Sequence, residues 1–242
     1  MIYFLIPLYN EELNIDNLQK NLSSVLKNLD SFIVFSDDGS TDKSVELIKS
    51  KFDNDNIKIL ENKKNHGPGY AFNRGFDWII KNSKNDNDKI VTLEADSTSD
   101  LSILDKMLKI NMLGYNLVLA SIYVQGGGFD KTSLFRKVIS SSANLIFRFV
   151  FDIKVQTLSS FYRVYDISLI KKIKSKYGNI SSQNGFICKL DILLRSIKLN
   201  ANIIEIPMVL KSKNRIGKSK LKILKTTSAY LKFLLKNKIY KK

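Results

Sequence analysis

The chain has 242 residues, 44% hydrophobic and 26% charged, which excludes a disordered or fibrous chain and leaves a globular protein with a sizeable core. Its single cysteine, Cys188, excludes an internal disulfide and fits a reducing compartment. The formal net charge of +16 favours anionic partners, but the lysines are too widely spread for the charge to choose among nucleic acid, lipid headgroups and phosphorylated substrates.

Short apolar strands and amphipathic helices alternate through the first half of the chain. Strands are predicted at residues 1–8, 32–36, 57–60, 90–93 and 117–121. Helices are predicted at residues 14–29 and 41–51, from the loop 66–69 to residue 80, and at residues 101–113. This alternation predicts a parallel sheet with right-handed crossovers. Ligands then bind at the carboxyl ends of the strands.

The pattern changes after Ser121. A glycine loop at residues 126–128 precedes a predicted helix at 136–151, a mixed polar and aromatic segment at 159–165, a helix at 186–199 and a strand at 203–210. A basic loop at 211–220 leads to a closing helix at 221–235 with leucines on one side and lysines on another. That helix is equally consistent with docking on the domain and with binding anionic headgroups.

No predicted segment addresses the chain to, or through, a membrane. The first strand is apolar but lacks a basic leading region, and it is interpreted as a buried strand rather than a signal peptide. No apolar run approaches the roughly 18 residues that span a bilayer. We therefore expect a protein that is soluble or lies on a membrane surface. The apolar side of the helix at 136–151 fits either core packing or contact with a membrane.

Two acidic clusters fall at predicted strand ends. Glu94 and Asp96 point to one side of an extended segment and could hold a hard divalent cation that binds a diphosphate. The same residues fit a solvated turn with a helix cap. The run 37–42 fits either a capped turn or a carboxylate that binds a nucleoside. The loop 66–69 fits either a plain turn or a phosphate cradle at a helix N-terminus.

In order and spacing, four segments resemble family 2 glycosyltransferases with the GT-A fold. They are Pro7-Leu8-Tyr9-Asn10-Glu11-Glu12, Asp37-Asp38-Gly39-Ser40-Thr41-Asp42, Gly67-Pro68-Gly69-Tyr70-Ala71 with Asn73 and Gly75, and Glu94-Ala95-Asp96. The second half resembles the dolichol-phosphate mannose synthase branch. Its matching segments are 136–140, 143–144, 159–165, 185–186 with Asp191, 205–207 and 215–220.

The resemblance implies an α/β fold of GT-A type: a Rossmann-like, mostly parallel central sheet flanked by helices, with an acceptor-side C-terminal half. We expect a single domain over residues 1–242. Within it, residues 1–115 bind the nucleotide sugar, 116–210 form the acceptor half, and 211–242 form the basic loop and amphipathic helix.

The resemblance also assigns roles to residues. The nucleotide sugar is expected to contact Pro7, Tyr9, Glu11, Asp38, Glu94, Asp96, Arg215 and Lys218 or Lys220. The metal, Mg2+ or Mn2+, is expected at Asp96 with Glu94 assisting and Thr98 in the third position. The acceptor phosphate is expected at Arg136, Ser140 and Arg163, and the catalytic residues are expected to be Asp96, Arg163, Arg215 and Asp191.

Three positions depart from the branch. It usually has aspartate where this chain has Glu94, and often glutamine where this chain has Thr98. Ile122 stands where an arginine near the acceptor phosphate is common, and Lys131 or Arg148 are the candidates to compensate. The transmembrane tail of some members is absent from this sequence.

The expected reaction is transfer of a hexose, with inversion, from a nucleoside-diphosphate sugar such as GDP-mannose or a UDP-sugar to a polyisoprenyl phosphate. A phosphate acceptor is already anionic and needs cations rather than a base. We expect a peripheral location on the cytoplasmic face of a membrane, with a small membrane subunit as a candidate partner. No nucleic-acid motif is present, so nucleic acid is not an expected partner.

Three alternatives stay open at this point. One is the same fold acting on a saccharide or protein hydroxyl, with Asp191 as the general base. The second is a basic, non-catalytic binding protein, suggested by the net charge. The third is an inactive scaffold, suggested by Glu94 and Ile122.

Overall fold

The computed structural model describes residues 1–27, 29–130, 134–217, 229–230 and 232–233, and the side chains of residues 134–140 and 143 lie outside that description. Its strands are β1 (Ile2–Leu8), β2 (Ser31–Asp37), β3 (Ile57–Glu61), β4 (Lys89–Thr92), β5 (Leu117–Ser121), β6 (Gly128–Phe129), β7 (Arg163–Asp166), β8 (Ile203–Pro207) and β9 (Val209–Leu210). Its helices are α1 (Ile15–Leu26), α2 (Ser44–Lys51), α3 (Pro68–Asn82), α4 (Leu104–Met112), α5 (Leu134–Phe151), α6 (Ile167–Tyr177) and α7 (Cys188–Lys198).

Seven strands form one sheet in the order β3-β2-β1-β4-β7-β5-β8. Neighbours are parallel except β7, which is antiparallel to both β4 and β5. Strands β6 and β9 pair in parallel as a separate ribbon. Because β1 and β4 are parallel neighbours, with Leu5 opposite Thr92, their carboxyl ends open at the same edge of the sheet. Ligands of such sheets bind at this edge.

Helices cover both faces of the sheet, as alternation along β1 shows. Tyr3 and Leu5 belong to a core cluster shared with α3, α5, α6 and α7. Phe4, Ile6 and Leu8 belong to a second cluster shared with α1, α2 and α4. Successive residues of a strand point to opposite faces, so the sheet is the middle of three layers. The α/β sheet flanked by helices is confirmed.

The sequence did not predict two elements, β7 and α6. Strand β7 is only four residues long and begins with a charged residue, Arg163, yet it lies in the middle of the sheet between β4 and β5. It places the second half of the chain inside the sheet formed by the first half. Helix α6 follows it directly, with Ile167, Ile170 and Ile173 buried, and ends at Gly178, whose positive φ of 77° suits glycine.

The predicted strand at 203–210 is two strands. Pro207 ends β8, and Met208 connects it to β9, with the Met208 amide donating to the carbonyl oxygen of Ser121 at 2.9 Å. Proline has no N–H to donate to the sheet, which accounts for the break.

Of the predicted closing helix, only residues 229–230 and 232–233 are described, and all four are helical. Tyr230 packs edge-on against Phe147, with 4.9 Å between ring centroids, and Phe233 contacts Phe151. This part of the chain therefore docks on α5. Within the described residues, no helix combines the length and apolarity that crossing a bilayer requires.

Candidate active site

A pair of carboxylates follows β4 at the carboxyl edge of the sheet. Asp96 is only 6% exposed, and Glu94 is partly buried beside it. The Thr98 hydroxyl donates to Asp96 Oδ1 at 2.7 Å and lies 3.3 Å from Glu94 Oε2, and the Thr98 amide donates to Asp96 Oδ1 at 3.1 Å. Thr98 therefore fixes the positions of both carboxylates. We refer to Glu94, Asp96 and Thr98 as the carboxylate cluster.

Within the carboxylate cluster, the pKa of Glu94 is raised well above its usual value. Burial raises the pKa of Glu94 to about 7, and the neighbouring charge of Asp96 acts in the same direction. The charges of Lys189 and Arg215 and the hydrogen bond from Thr98 oppose the shift without cancelling it. A divalent cation bound here would relieve the repulsion between the two carboxylates.

Backbone strain marks the same turn. Ser97 is a buried non-glycine residue with a positive φ of 61°, a conformation that is uncommon for residues with a side chain. Its hydroxyl oxygen is buried with no hydrogen-bond partner among the described residues. The carboxylates are thus held by a turn that local preferences alone would not select.

The donor set fits a metal that is completed by substrate. Within the described residues, no group of three or more His, Cys, Asp or Glu side chains could hold a metal alone. Two carboxylates and a hydroxyl nevertheless suit Mg2+ or Mn2+, since Mg2+ is commonly bound by one or two carboxylates together with substrate phosphates and water. Mg2+ or Mn2+ would therefore be held by Asp96 and Glu94, while Thr98 orients them.

A loop from the C-terminal half lies across this cluster. Both Nε and Nη2 of Arg215 donate to Asp96 Oδ2, the former at 2.6 Å. The Lys211 amide donates to the carbonyl oxygen of Thr98 at 2.9 Å, and the Asn214 side chain donates to that of Ser97 at 3.2 Å. We refer to residues 211–217 as the arginine loop. The pairing with Asp96 is in keeping with an Arg215 pKa raised above its usual value, although burial alone would lower it.

Asn14 ties the arginine loop to the end of β1. Its side chain accepts from the Ile216 amide at 2.8 Å and donates to the Ile216 carbonyl oxygen at 3.1 Å. It also donates to Glu11 Oε2 at 2.7 Å. The buried Asn14 side chain thus joins the segment after β1 to the arginine loop. Neither Asn14 nor Asn214 was among the expected site residues, because an isolated asparagine carries no signal in a sequence.

The expected nucleoside residues lie along the end of β1 and in the loop after β2. Pro7, Tyr9 and Glu11 are each partly exposed there. Asp38 is buried and accepts the amides of His66 and Gly67, at 2.9 and 2.6 Å. Burial raises the pKa of Asp38 despite these hydrogen bonds. Its carboxylate therefore shapes the loop before α3, and direct contact with a base stays a prediction.

For the loop 66–69, the same contacts favour the plain turn over the phosphate cradle. The amides of His66 and Gly67 are taken by Asp38, and the Gly69 amide donates to the carbonyl oxygen of Asn184 at 2.7 Å. A Cβ on Gly67 would lie 2.4 Å from that oxygen, so glycine permits close packing against Asn184. The His66 and Gly67 amides thus hold this loop to the end of β2, and the Gly69 amide joins the two halves of the chain.

Arg163 is not placed where the resemblance expects it. Its side chain is 1% exposed, and Nε and Nη2 donate to the carbonyl oxygens of Ser160 and Leu158 at 2.8 and 3.1 Å. Nη1 donates to the carbonyl oxygen of Lys189 at 2.9 Å and contacts the Tyr165 hydroxyl at 3.3 Å. These contacts show the Arg163 guanidinium supporting the backbone around it, and its contact with an acceptor phosphate stays a prediction that they do not favour.

Asp191 is equally engaged within the protein. It is fully buried on α7, where Arg195 Nε donates to one oxygen at 3.1 Å and Ser181 and Ser182 donate to the other. A general base needs a free lone pair directed at substrate. The geometry instead favours the expectation that Asp191 orients a neighbouring cation, Arg195, and does not favour the base of a hydroxyl-accepting enzyme.

Several expected residues cannot be placed. Arg136 and Ser140 lie on α5, but their side chains are outside the described residues, as are Lys131, Lys218 and Lys220. Arg148 is described, and its Nε is buried without a hydrogen-bond partner in the described part of the chain. Ile122 follows β5 at the same sheet edge as the carboxylate cluster and packs against the second core cluster.

A buried lysine was missed by the sequence analysis. Lys189 in the first turn of α7 is 7% exposed, and its pKa is lowered to about 8 by burial, with Glu94 the strongest opposing charge. A signal was present, because the lysine interrupts the otherwise apolar run from Phe186 to Leu190. Buried lysines are rare unless they are paired.

Comparison with known proteins adds the following matches. The sequence model of glycosyl transferase family 2 matches residues 3–174. The chain is 25% identical over 219 residues to polyprenol monophosphomannose synthase of Mycolicibacterium smegmatis, covering 90% of this chain and 79% of that protein. It is 27% identical over 234 residues to dolichol-phosphate mannosyltransferase of Pyrococcus furiosus, covering 95% of this chain but 61%, less than two thirds, of that protein.

Solved structures show a similar fold. Glucosyl-3-phosphoglycerate synthase from Mycobacterium tuberculosis, in complex with Mn2+, UDP and glucosyl-3-phosphoglycerate, matches with a TM-score of 0.67 and 15% identity, over 97% of this chain and 77% of that one. The same enzyme with Mg2+ and UDP matches with a TM-score of 0.66 and 14% identity, over 97% and 76% of the two chains. At these identities the likeness concerns the fold alone.

Proposed function

Since this chain belongs to glycosyl transferase family 2 and has the GT-A fold, we propose that it moves a hexose, with inversion, from a nucleoside-diphosphate sugar to a polyisoprenyl phosphate. It is a hexosyltransferase resembling dolichol-phosphate mannose synthase. The observation that carries the proposal is the carboxylate cluster with Arg215 lying directly across it, at the edge where ligands of such sheets bind.

The donor diphosphate is proposed to bind between the carboxylate cluster and the arginine loop. A divalent cation held by Asp96 and Glu94 would neutralise charge on the leaving diphosphate. Arg215 lies against Asp96, close enough to contact a diphosphate bound there. Its planar guanidinium suits bidentate contact with phosphate oxygens. Pro7, Tyr9 and Glu11, at the end of the adjacent strand, are proposed to line the nucleoside pocket.

The acceptor is proposed to be a phosphate because the described residues of the site include cations, Arg215 and Lys189, and no unengaged general base beyond the metal-binding carboxylates. A phosphate oxygen attacks the anomeric carbon, the bond from that carbon to the diphosphate breaks, and the nucleoside diphosphate leaves. No proton has to be removed from the attacking oxygen, since a phosphate monoester is anionic at neutral pH. The relatives named for polyprenol and dolichol phosphate mannosyl transfer support this acceptor class.

The test varies the donor base, the sugar and the metal. Purified protein is mixed with Mn2+ or Mg2+, GDP-mannose or UDP-glucose, and farnesyl phosphate, and the sugar is followed into the organic phase. Farnesol in place of farnesyl phosphate is the acceptor control. We expect transfer to the phosphate and none to the alcohol.

Two variants of matched charge complete the test. Asp96→Asn is expected to lower transfer by about a hundredfold or more, because it weakens charge stabilisation of the leaving group. Asp105→Asn removes a carboxylate of an exposed ion pair on α4 and should leave transfer unchanged. Transfer to the alcohol but not to the phosphate would overturn the proposed acceptor and return attention to a hydroxyl-accepting enzyme.

The proposed acceptor also implies contact with a membrane surface. Helix α5 exposes Leu145, Ile146 and Phe149 along its outer side. An apolar helix side on a chain of formal net charge +16 suits an anionic bilayer, which attracts basic proteins electrostatically. We propose that the protein lies on the cytoplasmic face of a membrane through this side of α5.

A further inference from the structure

Lys189 is a buried cation that forms no ion pair with any of the described residues. Its ammonium lies 3.7 Å from the centroid of the Phe161 ring and 5.7 Å from that of Phe186. Among the described residues, it donates no hydrogen bond and forms no ion pair within 4.0 Å. The other cation of the site, Arg215, is paired with Asp96. Among the described cations of the site, Lys189 is thus one whose charge is not paired.

Burying an ammonium group without an ion-pair partner is unfavourable for folding. Removing a charge from water without a partner costs free energy, and contact with an aromatic ring returns only part of it. The lowered pKa of Lys189, caused mainly by burial, reflects the same cost. A residue that destabilises the fold at this position is typical of a functional site rather than of a structural support.

The surroundings hold the lysine in place, and it lines the same cavity as Thr92, the last residue of β4. Arg163 Nη1 donates to the Lys189 carbonyl oxygen, which fixes the start of α7. Phe161 stacks on Phe72, with ring centroids 5.4 Å apart, which fixes the ring beneath the ammonium. The strongest opposite charge acting on Lys189 is Glu94, and Asp96 contributes as well, so the ammonium shares the electric field of the carboxylate cluster.

We propose that the ammonium of Lys189 binds the phosphate of the acceptor and directs its oxygen toward the anomeric carbon. This inference rests on the proposed function and adds to it the cation that receives the acceptor. Lys189 lies on α7, within the part of the chain that is expected to bind the acceptor. The diphosphate already has Arg215, whereas Arg163, the expected acceptor ligand, is used by the backbone.

Aromatic rings beside the lysine suit the rest of such an acceptor. Phe161 and Phe186 meet edge to face, with centroids 6.1 Å apart, on the same side as the ammonium. Phe161 is buried, whereas Phe186 is partly exposed and offers an apolar side chain to a ligand whose phosphate is joined directly to a hydrocarbon chain. Such a side chain matches a sugar hydroxyl acceptor poorly.

The test compares Lys189→Met with Lys189→Arg and with Lys198→Met, an exposed lysine on the same helix. With farnesyl phosphate as acceptor, Lys189→Met should raise the acceptor KM by about tenfold or more, as expected when a buried charge contact is lost. Lys189→Arg should restore most of the affinity, and Lys198→Met should have no effect. Affinity for GDP or UDP with Mn2+, measured by calorimetry, should be unchanged in all three.

Thermal stability distinguishes a role of Lys189 in acceptor binding from a purely structural role. Because Lys189→Met removes an unpaired buried charge and keeps the volume, its Tm should be equal to or above that of the wild type. A lowered Tm with parallel losses of donor and acceptor binding would assign Lys189 to the fold and overturn the inference. Weaker nucleotide binding with an unchanged acceptor KM would assign it to the donor and also overturn it.

The two proposals fail in different ways. If the wild type transfers to farnesyl phosphate and Lys189→Met has the same acceptor KM, the role of Lys189 is wrong and the proposed function stands. If the wild type transfers only to farnesol or to a sugar, both proposals are overturned.

Discussion

At the scale of single residues, the arginines of the site differ in what their guanidinium groups touch. Arg215 contacts a carboxylate at the open edge of the sheet, whereas Arg163 donates to backbone carbonyl oxygens in the interior. The first can exchange its partner for a ligand, since a diphosphate offers the same kind of oxygen. The second cannot do so without leaving buried carbonyl groups unpaired, which is costly.

Replacing Arg163 should therefore reduce stability before it changes acceptor binding. We expect Arg163→Met to lower the free energy of unfolding by about 3 kcal/mol, because several buried carbonyl oxygens lose their donor. Urea denaturation followed by circular dichroism measures this. Lys174→Met, which removes an exposed ion pair with Asp77, should cost less than about 1 kcal/mol. Unchanged stability with a raised acceptor KM would restore the phosphate-binding role.

At the scale of elements, the arginine loop is held at both ends of the site. Lys211 and Asn214 contact the turn after β4, and Ile216 contacts Asn14 near the end of β1. The loop therefore connects the strand end proposed to bind the nucleoside with the one proposed to bind the metal. A loop attached by a few hydrogen bonds at a surface edge belongs to the less stable parts of a protein.

Removing the contact with Asn14 should loosen this loop. Asn14→Ala deletes two hydrogen bonds to Ile216, so amide hydrogen exchange at residues 215–217 should accelerate, by roughly tenfold for each 1.4 kcal/mol lost. Nucleotide affinity should fall as the position of Arg215 becomes less defined. Gln19→Ala, which removes an exposed bond within α1, serves as the control. Unchanged exchange in the loop would show that Asn14 does not hold it.

The loop between α3 and β4 supplies a pH-dependent contact. Asp88 is buried, and burial alone would raise its pKa, but hydrogen bonds from Ser83, the Met1 ammonium and the Asn85 amide together lower it. A carboxylate with a lowered pKa stabilises the fold above its unfolded pKa of about 3.9, and that contribution is lost as the pH falls through the folded pKa.

Asp88→Asn should accordingly be less stable than the wild type at neutral pH, by about 1 kcal/mol. The difference should shrink as the pH falls below roughly 4, since the wild-type carboxyl then becomes neutral too. Urea denaturation at a series of pH values measures both effects. Asp105→Asn, at an exposed ion pair, should show little pH-dependent difference. A gap that stays constant in acid would contradict the charge-based explanation.

At the scale of the whole molecule, one sheet joins the two halves of the chain. Strand β7 from the second half lies between β4 and β5, so the carboxylate cluster and the region around Lys189 are built on neighbouring strands and the helices that cover them. Outside the sheet, the exposed apolar residues of α5 and the excess of basic residues suit a surface that meets an anionic membrane.

A substitution at Phe149, which is 90% exposed, tests whether this surface binds a membrane. We expect Phe149→Glu to weaken sedimentation with phosphatidylglycerol-containing vesicles, by about tenfold or more, since it removes an inserted ring and adds a repelled charge. Met112→Glu changes an apolar side chain that is 71% exposed at the end of α4 and is the matched control. Equal losses in both variants would mean that net charge alone governs binding and that α5 is not the contact.

The sequence by itself predicted the alternating strands and helices, the sheet edge of the candidate site, and the candidate residues Glu94, Asp96 and Arg215, which the structure brings together. These depend on local patterns: apolar periodicity, acidic residues directly after strands, and motifs in a fixed order. Such patterns did not predict strand β7. A four-residue segment that begins with a buried arginine becomes a strand only because it pairs with β4 and β5.

Only the tertiary structure decided which charged side chains are engaged by partners within the protein. Arg163 and Asp191 match the resemblance in sequence, yet the fold surrounds them with carbonyl groups, hydroxyl groups and Arg195. Lys189 carries no motif, yet its ammonium is buried and forms no ion pair in the part of the chain that the structure describes. The physical reason is that a side chain's availability depends on partners distant in the sequence, which a local pattern does not contain.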